Sequence, residues 1–197
     1  VTLFIGGNDL CDFCNNLQLY SPQTYIADIQ KALDLLHDQL PRAFVNLVSV
    51  LNVGEVEELN RGLVCSTLHS SVCPCAAYPS SDEERKILYE YLDGYGKKAE
   101  QLALSGLYDD KDDFTVVYQP FLRDFKAPRL ANGEIDLSYF APDCFHFSSK
   151  SHSMAGIGLW NNMIQPVGKK ATTFIVGEPI SCPTLEHPYF YTNKNSA

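Results

Sequence analysis

Short apolar runs alternate along this chain with longer stretches in which apolar residues recur every three or four positions. Runs of the first kind are typical of buried strands, and spacing of the second kind is typical of amphipathic helices. The predicted strands are 1–5, 43–53 and 114–118, and the predicted helices are 22–40, 82–103 and 149–164. Because strands and helices alternate, the pattern predicts a three-layer α/β sandwich with a parallel sheet.

Each predicted helix follows a serine that can cap its first turn, namely Ser21, Ser81 and Ser148. Glu84 stands three residues after the second of these serines, which is the spacing of a capping box. Between the regular elements, residues 54–80 are rich in Gly, Ser and Cys and predict an irregular excursion with one helical turn near 56–63. Residues 119–142 predict a long loop.

Composition narrows the class of protein. The 197 residues suit one domain or most of one, and a hydrophobic content of 45% supports a sizeable core. The net charge of −9 argues against a nucleic-acid partner, whose phosphates favour a basic surface. It also argues against simple electrostatic attraction to anionic lipid, so a lipid substrate would have to be attracted by apolar surface.

Seven cysteines are many for a cytosolic domain, and they favour disulfides in an oxidising compartment. An odd count leaves one thiol free or paired outside the chain. The alternative is a four-thiolate zinc site made from Cys11, Cys14, Cys73 and Cys75. The one-residue spacing of the second pair is tighter than is usual for zinc, so the disulfide interpretation is favoured.

Two short motifs carry candidate chemistry. The segment Gly6-Gly7-Asn8-Asp9 follows the first predicted strand, and Asp143 stands three residues before His146. In acyl transfer, His146 is suited to act as the base, Asp143 to orient it, and the Asn8 amide to stabilise an oxyanion. Ligands of parallel sheets lie at the carboxyl ends of the strands, so both motifs are expected at one edge of the sheet.

Each motif alone is weak, because an acid three residues before a histidine occurs by chance in many chains. The Gly-Gly-Asn-Asp segment could be a plain turn in which the aspartate caps a helix. The other histidines have simpler explanations: His37 and His69 are expected to be ordinary surface residues, and His152 a packing or polar-face residue of the last helix.

Taken together, the motifs resemble the GDSL/SGNH hydrolase superfamily. Its G-x-N-D block is matched by Gly6, Asn8 and Asp9, and its D-x-x-H block by Asp143 and His146. Three longer segments resemble the phospholipase B branch of that superfamily: 8–14, 73–75 and 141–148. The resemblance implies an oxyanion role for Asn8, a supporting loop role for Gly6, and an acid–base pair made of Asp143 and His146.

The resemblance also implies hydrolysis of phospholipid or lysophospholipid acyl esters without cofactor or metal, by a polypeptide that is extracellular and membrane-associated. The Gly-Asp-Ser block that carries the nucleophilic serine of the superfamily occurs nowhere in the chain. We therefore expect residues 1–165 to be the C-terminal two-thirds of a hydrolase domain whose N-terminal part is missing. Residues 166–197 are expected to form a surface extension or tail.

Three functional hypotheses follow. The chain is a segment of a lipid ester hydrolase, with its nucleophile supplied from outside residues 1–197. Alternatively, it is an inactive truncated isoform that binds lipid or a partner. The third hypothesis is a cysteine-rich zinc module with no hydrolase role. The sequence leaves the oligomeric state open.

Overall fold

A computed structural model describes residues 1–196. The strands are β1 (Thr2–Leu3), β2 (Ala43–Val48) and β3 (Phe114–Gln119). The α-helices are α1 (Gly7–Asp12), α2 (Pro22–Gln39), α3 (Gly62–Val72), α4 (Pro74–Ala77), α5 (Asp82–Ala103) and α6 (Ser149–Met163). Short 3-10 helices occupy Phe13–Asn15, Val53–Leu59 and Leu137–Tyr139.

The three strands form one parallel sheet in the order β1-β2-β3, with Val45 of β2 opposite Val116 of β3. These two valines point toward α2 and α5 and belong to the largest apolar core. The opposite sheet face meets α6, where the Asn46 amide reaches the Met163 sulfur at 3.7 Å. Helices thus cover both faces, and the predicted α/β sandwich with a parallel sheet is confirmed.

Two of the three predicted serine caps form as expected. Ser21 Oγ accepts a hydrogen bond from the Thr24 amide at 3.2 Å, and Ser81 Oγ accepts one from the Glu84 amide at 3.1 Å. Ser148 precedes α6 as predicted, but its side chain makes no capping hydrogen bond. Its hydroxyl instead donates to the Ser138 carbonyl at 2.8 Å, so a tertiary contact takes the place of the cap.

The helical turn predicted near 56–63 overlaps the 3-10 helix Val53–Leu59, but the prediction that the rest of residues 54–80 is irregular is wrong, because it contains α3 and α4. The amphipathic signal of α3 is inverted. Its buried residues are Cys65 and His69, whereas Leu63 and Val64 are 86% and 65% exposed. The exposed face carries apolar residues at helical spacing, so the apolar pattern does not indicate which face packs against the core.

Three disulfides join this helical segment to the rest of the chain. They pair Cys11 with Cys73, Cys14 with Cys75, and Cys65 with Cys144. Among the described residues, Cys182 keeps an exposed free thiol. The four sulfur atoms of the alternative zinc site are therefore bonded to one another in two pairs.

The first predicted strand is shorter and more exposed than expected. Only Thr2 and Leu3 pair with β2, and Val1, Phe4 and Ile5 are each more than half exposed. The second strand also ends earlier than predicted, at Val48, and a 3-10 helix begins at Val53. Within residues 1–196, β1 is an edge strand.

The segment after α6 contains no helix or strand up to residue 196, and it lies against the body of the molecule. Phe174 is buried against Phe125, and the Tyr191 amide donates to the Met163 carbonyl at 2.9 Å. The division of the chain at residues 165 and 166 remains a prediction.

Candidate active site

A cleft of about 440 Å³ opens where the chain leaves the carboxyl ends of the three strands. Gly6 and Asn8 border it after β1, and His146 borders it from the loop before α6. The structure thus brings the two sequence motifs to one cleft. Most of the remaining wall is apolar, and its aromatic members are Phe4, Phe125, Phe140, Phe145 and Phe147.

A tight turn positions the acid and the imidazole. Asp143 Oδ2 lies 2.7 Å from His146 Nδ1, and Asp143 Oδ1 accepts the backbone N–H groups of Phe145 and His146 at 3.0 Å each. The carboxylate only accepts, so Nδ1 carries a proton in the neutral ring and the Nε2 lone pair is available to a reacting hydroxyl. The arrangement can therefore perform general base catalysis.

The electrostatics of Asp143 favour its ionised form. Burial alone would raise the pKa of this carboxyl, but the hydrogen bonds from the His146 side chain and from the Phe145 and His146 amides outweigh it and lower the pKa. A carboxylate that stays ionised at neutral pH can stabilise an imidazolium formed on His146. The pKa of Asp9, in the other motif, shifts in the opposite direction, because burial raises it.

The turn is anchored at Cys144, which adopts a left-handed backbone conformation with φ of 58°. The disulfide to Cys65 ties this residue to α3. From the same helix, His69 Nε2 lies 3.1 Å from the Cys144 carbonyl oxygen. α3 therefore holds the backbone between the acid and the base by one covalent and one polar link.

His69 was expected to be an ordinary surface residue, and that prediction is wrong. The residue lies in α3 with its side chain fully buried, and burial lowers its pKa against the opposing effects of the Cys144 carbonyl and Asp143. No local sequence pattern predicts the burial of His69, since the Cys144 carbonyl that it contacts is 75 residues away in sequence.

His37 and His152 differ in their surroundings. His37 is partly buried and lies 2.8 Å from Asp110. His152 is exposed and borders the cleft.

Gly6 sets the path of the chain into the first motif. Its φ of 113° lies in the left-handed region, and a Cβ atom here would come within 2.8 Å of the Tyr25 ring. That ring is itself stacked on Tyr95 at 3.9 Å, so it has little room to move. Asn8 follows in the first turn of α1, where it is exposed to the cleft.

Replacing this glycine tests the packing. Gly6→Ala should lower the free energy of unfolding by about 2–4 kcal/mol, because the new methyl group meets both backbone strain and the Tyr25 ring. Gly7→Ala is the matched control: apart from its chain neighbours and the backbone of its own helix, no atom lies within 4 Å of the added Cβ, and alanine favours the helix. Urea unfolding measures both, and equal stability of the two variants would contradict the expectation.

No group of three or more His, Cys, Asp or Glu side chains in residues 1–196 has the arrangement of a metal site. None of the helices in that range is both long and apolar enough to cross a bilayer.

Comparison with known proteins identifies relatives over the whole chain. It is 49% identical to a protein of Homo sapiens named membrane-associated phospholipase B1, over 202 aligned residues that cover all of this chain and 14% of that protein. The proteins of the same name from Mus musculus and Rattus norvegicus are 44% and 45% identical, with the same coverage. The chain thus spans 14% of the length of these curated relatives.

No solved structure matches the chain significantly. At the level of families, the sequence model of the GDSL-like lipase/acylhydrolases matches residues 1–158, which include both motifs at the cleft. The chain belongs to the GDSL-like lipase/acylhydrolase family.

Proposed function

We propose that this chain is the part of a lipid ester hydrolase that supplies the acid, the base and one oxyanion donor. The observation that carries the proposal is the 2.7 Å contact between Asp143 and His146 beside a cleft that Asn8 also borders. Family membership supports an ester hydrolase, and the assignment of each residue to a step is our own.

In the proposed reaction, a serine hydroxyl attacks the ester carbonyl while His146 Nε2 takes its proton. Asp143 keeps the imidazole oriented and stabilises the imidazolium. Asn8 donates to the oxyanion of the tetrahedral intermediate, and the imidazolium then protonates the leaving alcohol. Water, activated by the same base, releases the fatty acid. The serine belongs to a Gly-Asp-Ser block that residues 1–197 do not contain.

The walls of the cleft support an acyl ester with a long apolar chain. Phe140, Phe145 and Phe147 lie around the base, and aromatic walls of this kind bury an alkyl chain through the hydrophobic effect. Because the relatives are named phospholipases, we propose phospholipids or lysophospholipids as the substrate class. The net charge of −9 favours apolar contact with the lipid over attraction to anionic head groups.

We also propose an extracellular location, at a membrane surface in the longer polypeptide. Three disulfides form in oxidising compartments, and the relatives carry the words membrane-associated in their names. Residues 1–165 would then belong to the hydrolase domain and residues 166–197 would cover its surface.

A second candidate function is an inactive isoform that binds lipid or a partner protein, and the missing Gly-Asp-Ser block favours it for residues 1–197 alone. Labelling of the purified, folded chain with a fluorophosphonate distinguishes the two. Label on a serine, lost in His146→Ala, would make this chain an esterase by itself. If no serine is labelled, either hydrolysis requires a longer polypeptide or the function of this chain is binding.

Asn8 provides a graded test of the proposed mechanism. In a polypeptide that contains both the Gly-Asp-Ser block and this chain, Asn8→Ala should lower kcat by about 10²–10³-fold with little change in KM, because the lost donor acts on the transition state. Steady-state hydrolysis of a lysophospholipid measures the effect. Asn15→Ala, an exposed asparagine outside the cleft, should retain full activity.

A further inference from the structure

The buried face of α3 presents an imidazole to the backbone of the D-x-x-H turn. His69 is fully buried, and its Nε2 atom lies 3.1 Å from the Cys144 carbonyl oxygen. Burial of a polar ring is unfavourable unless its nitrogen atoms are hydrogen-bonded. The position of this side chain is therefore set by polar partners, and one of them is Cys144, the first of the two residues between the acid and the base.

The second ring nitrogen fixes the orientation of the imidazole. Asn60 donates its Nδ2–H to the Ala77 carbonyl at 2.6 Å and turns its carboxamide oxygen to within 2.5 Å of His69 Nδ1. Both ring nitrogens therefore face oxygen atoms. Both oxygens are acceptors, so the neutral ring, which has a single N–H group, donates to only one of them. The contact with the Cys144 carbonyl is a hydrogen bond when that proton is on Nε2.

Cys144 needs such support because its φ of 58° is unfavourable for a residue with a Cβ atom. This conformation lets the chain turn so that Asp143 accepts the backbone N–H groups of Phe145 and His146. The disulfide to Cys65 holds the Cys144 side chain, whereas the imidazole holds its carbonyl. The two links act on different atoms of one residue.

We propose that His69 is a positioning residue of the Asp143–His146 pair, acting by a hydrogen bond from Nε2–H to the Cys144 carbonyl that fixes the catalytic turn. The role rests on the proposed function, since the turn is catalytic only if His146 is the base. The contact itself is independent of turnover, so it can be tested without an activity assay.

The test uses two amide variants of the whole chain. Glutamine at position 69 places an amide nitrogen near the position of Nε2, whereas asparagine reaches only the position of Nδ1. The readout is the titration of the Asp143 carboxyl, followed by its ¹³C shift in NMR spectra. His69→Asn should raise the pKa of Asp143 toward its ordinary value, because the backbone donors move away. His69→Gln should retain the depressed pKa.

An unchanged Asp143 titration in folded His69→Asn would overturn the proposal, and so would an equal rise in both variants, which would indicate a merely structural role. If neither variant folds, the ¹⁵N spectrum of the unmodified chain decides: a deprotonated Nε2 on His69 refutes the hydrogen bond, and a protonated, slowly exchanging one supports it. Loss of lipid hydrolysis as a function would leave these results unaffected, so the two proposals fail separately.

Discussion

Substitution of His146 by alanine should abolish ester hydrolysis in a polypeptide that contains both the Gly-Asp-Ser block and this chain. The loss of kcat is expected to be on the order of 10⁶-fold, as for the base of other serine hydrolases. The physical reason is the position of the ring, whose Nδ1 atom is held by Asp143 at 2.7 Å and whose other nitrogen is available at the cleft. Asp143→Asn should cost less, about 10⁴-fold, because the base remains.

The chain offers a matched control for this experiment. His37 also contacts an aspartate, with its Nε2 atom 2.8 Å from Asp110, but the pair is absent from the walls of the cleft. His37→Ala should therefore leave kcat unchanged. Hydrolysis of a lysophospholipid by the three variants gives the comparison, after circular dichroism has shown that each is folded. If His146→Ala hydrolysed the substrate as fast as the unmodified protein, the assignment of His146 as the base would be refuted.

The second large effect concerns stability. Two neighbouring disulfides, Cys11–Cys73 and Cys14–Cys75, close loops of nearly the same length, with sequence separations of 62 and 61. While one bridge remains, the other closes only a small additional ring. By loop-closure entropy, replacing one bridge by two alanines should cost about 2 kcal/mol, whereas replacing both should cost about 6 kcal/mol.

Urea unfolding of the two double variants and the quadruple variant measures this non-additivity. The expected result is that the quadruple variant loses more stability than the sum of the two double variants. Simple additivity would mean that the loop model does not describe this pair, and that each bridge acts through its local contacts. The third bridge, Cys65–Cys144, should remain intact in all variants, as mass spectrometry under non-reducing conditions can verify.

Local sequence determined the elements whose signals lie within a few residues. The spacing of apolar residues in α2 and α5, together with the serines before them, was enough to predict both helices, because a helix and its cap are short-range structures. The run at β3 was found for the same reason, and the alternation of strands with helices predicted the parallel sheet. The spacing of Asp143 and His146 likewise predicted a turn that could join the two side chains.

Contacts distant in sequence decided the rest. α3 was missed because its outward face is apolar, and the prediction for His69 failed because its partner, Cys144, is contributed by a loop 75 residues away. The pairing of six cysteines could not be read from their spacing, since many connectivities satisfy it. Sequence alone therefore predicted the residues that would carry out acyl transfer. Only the tertiary structure decided what holds them, because the free energy of those links depends on groups that the chain brings together by folding.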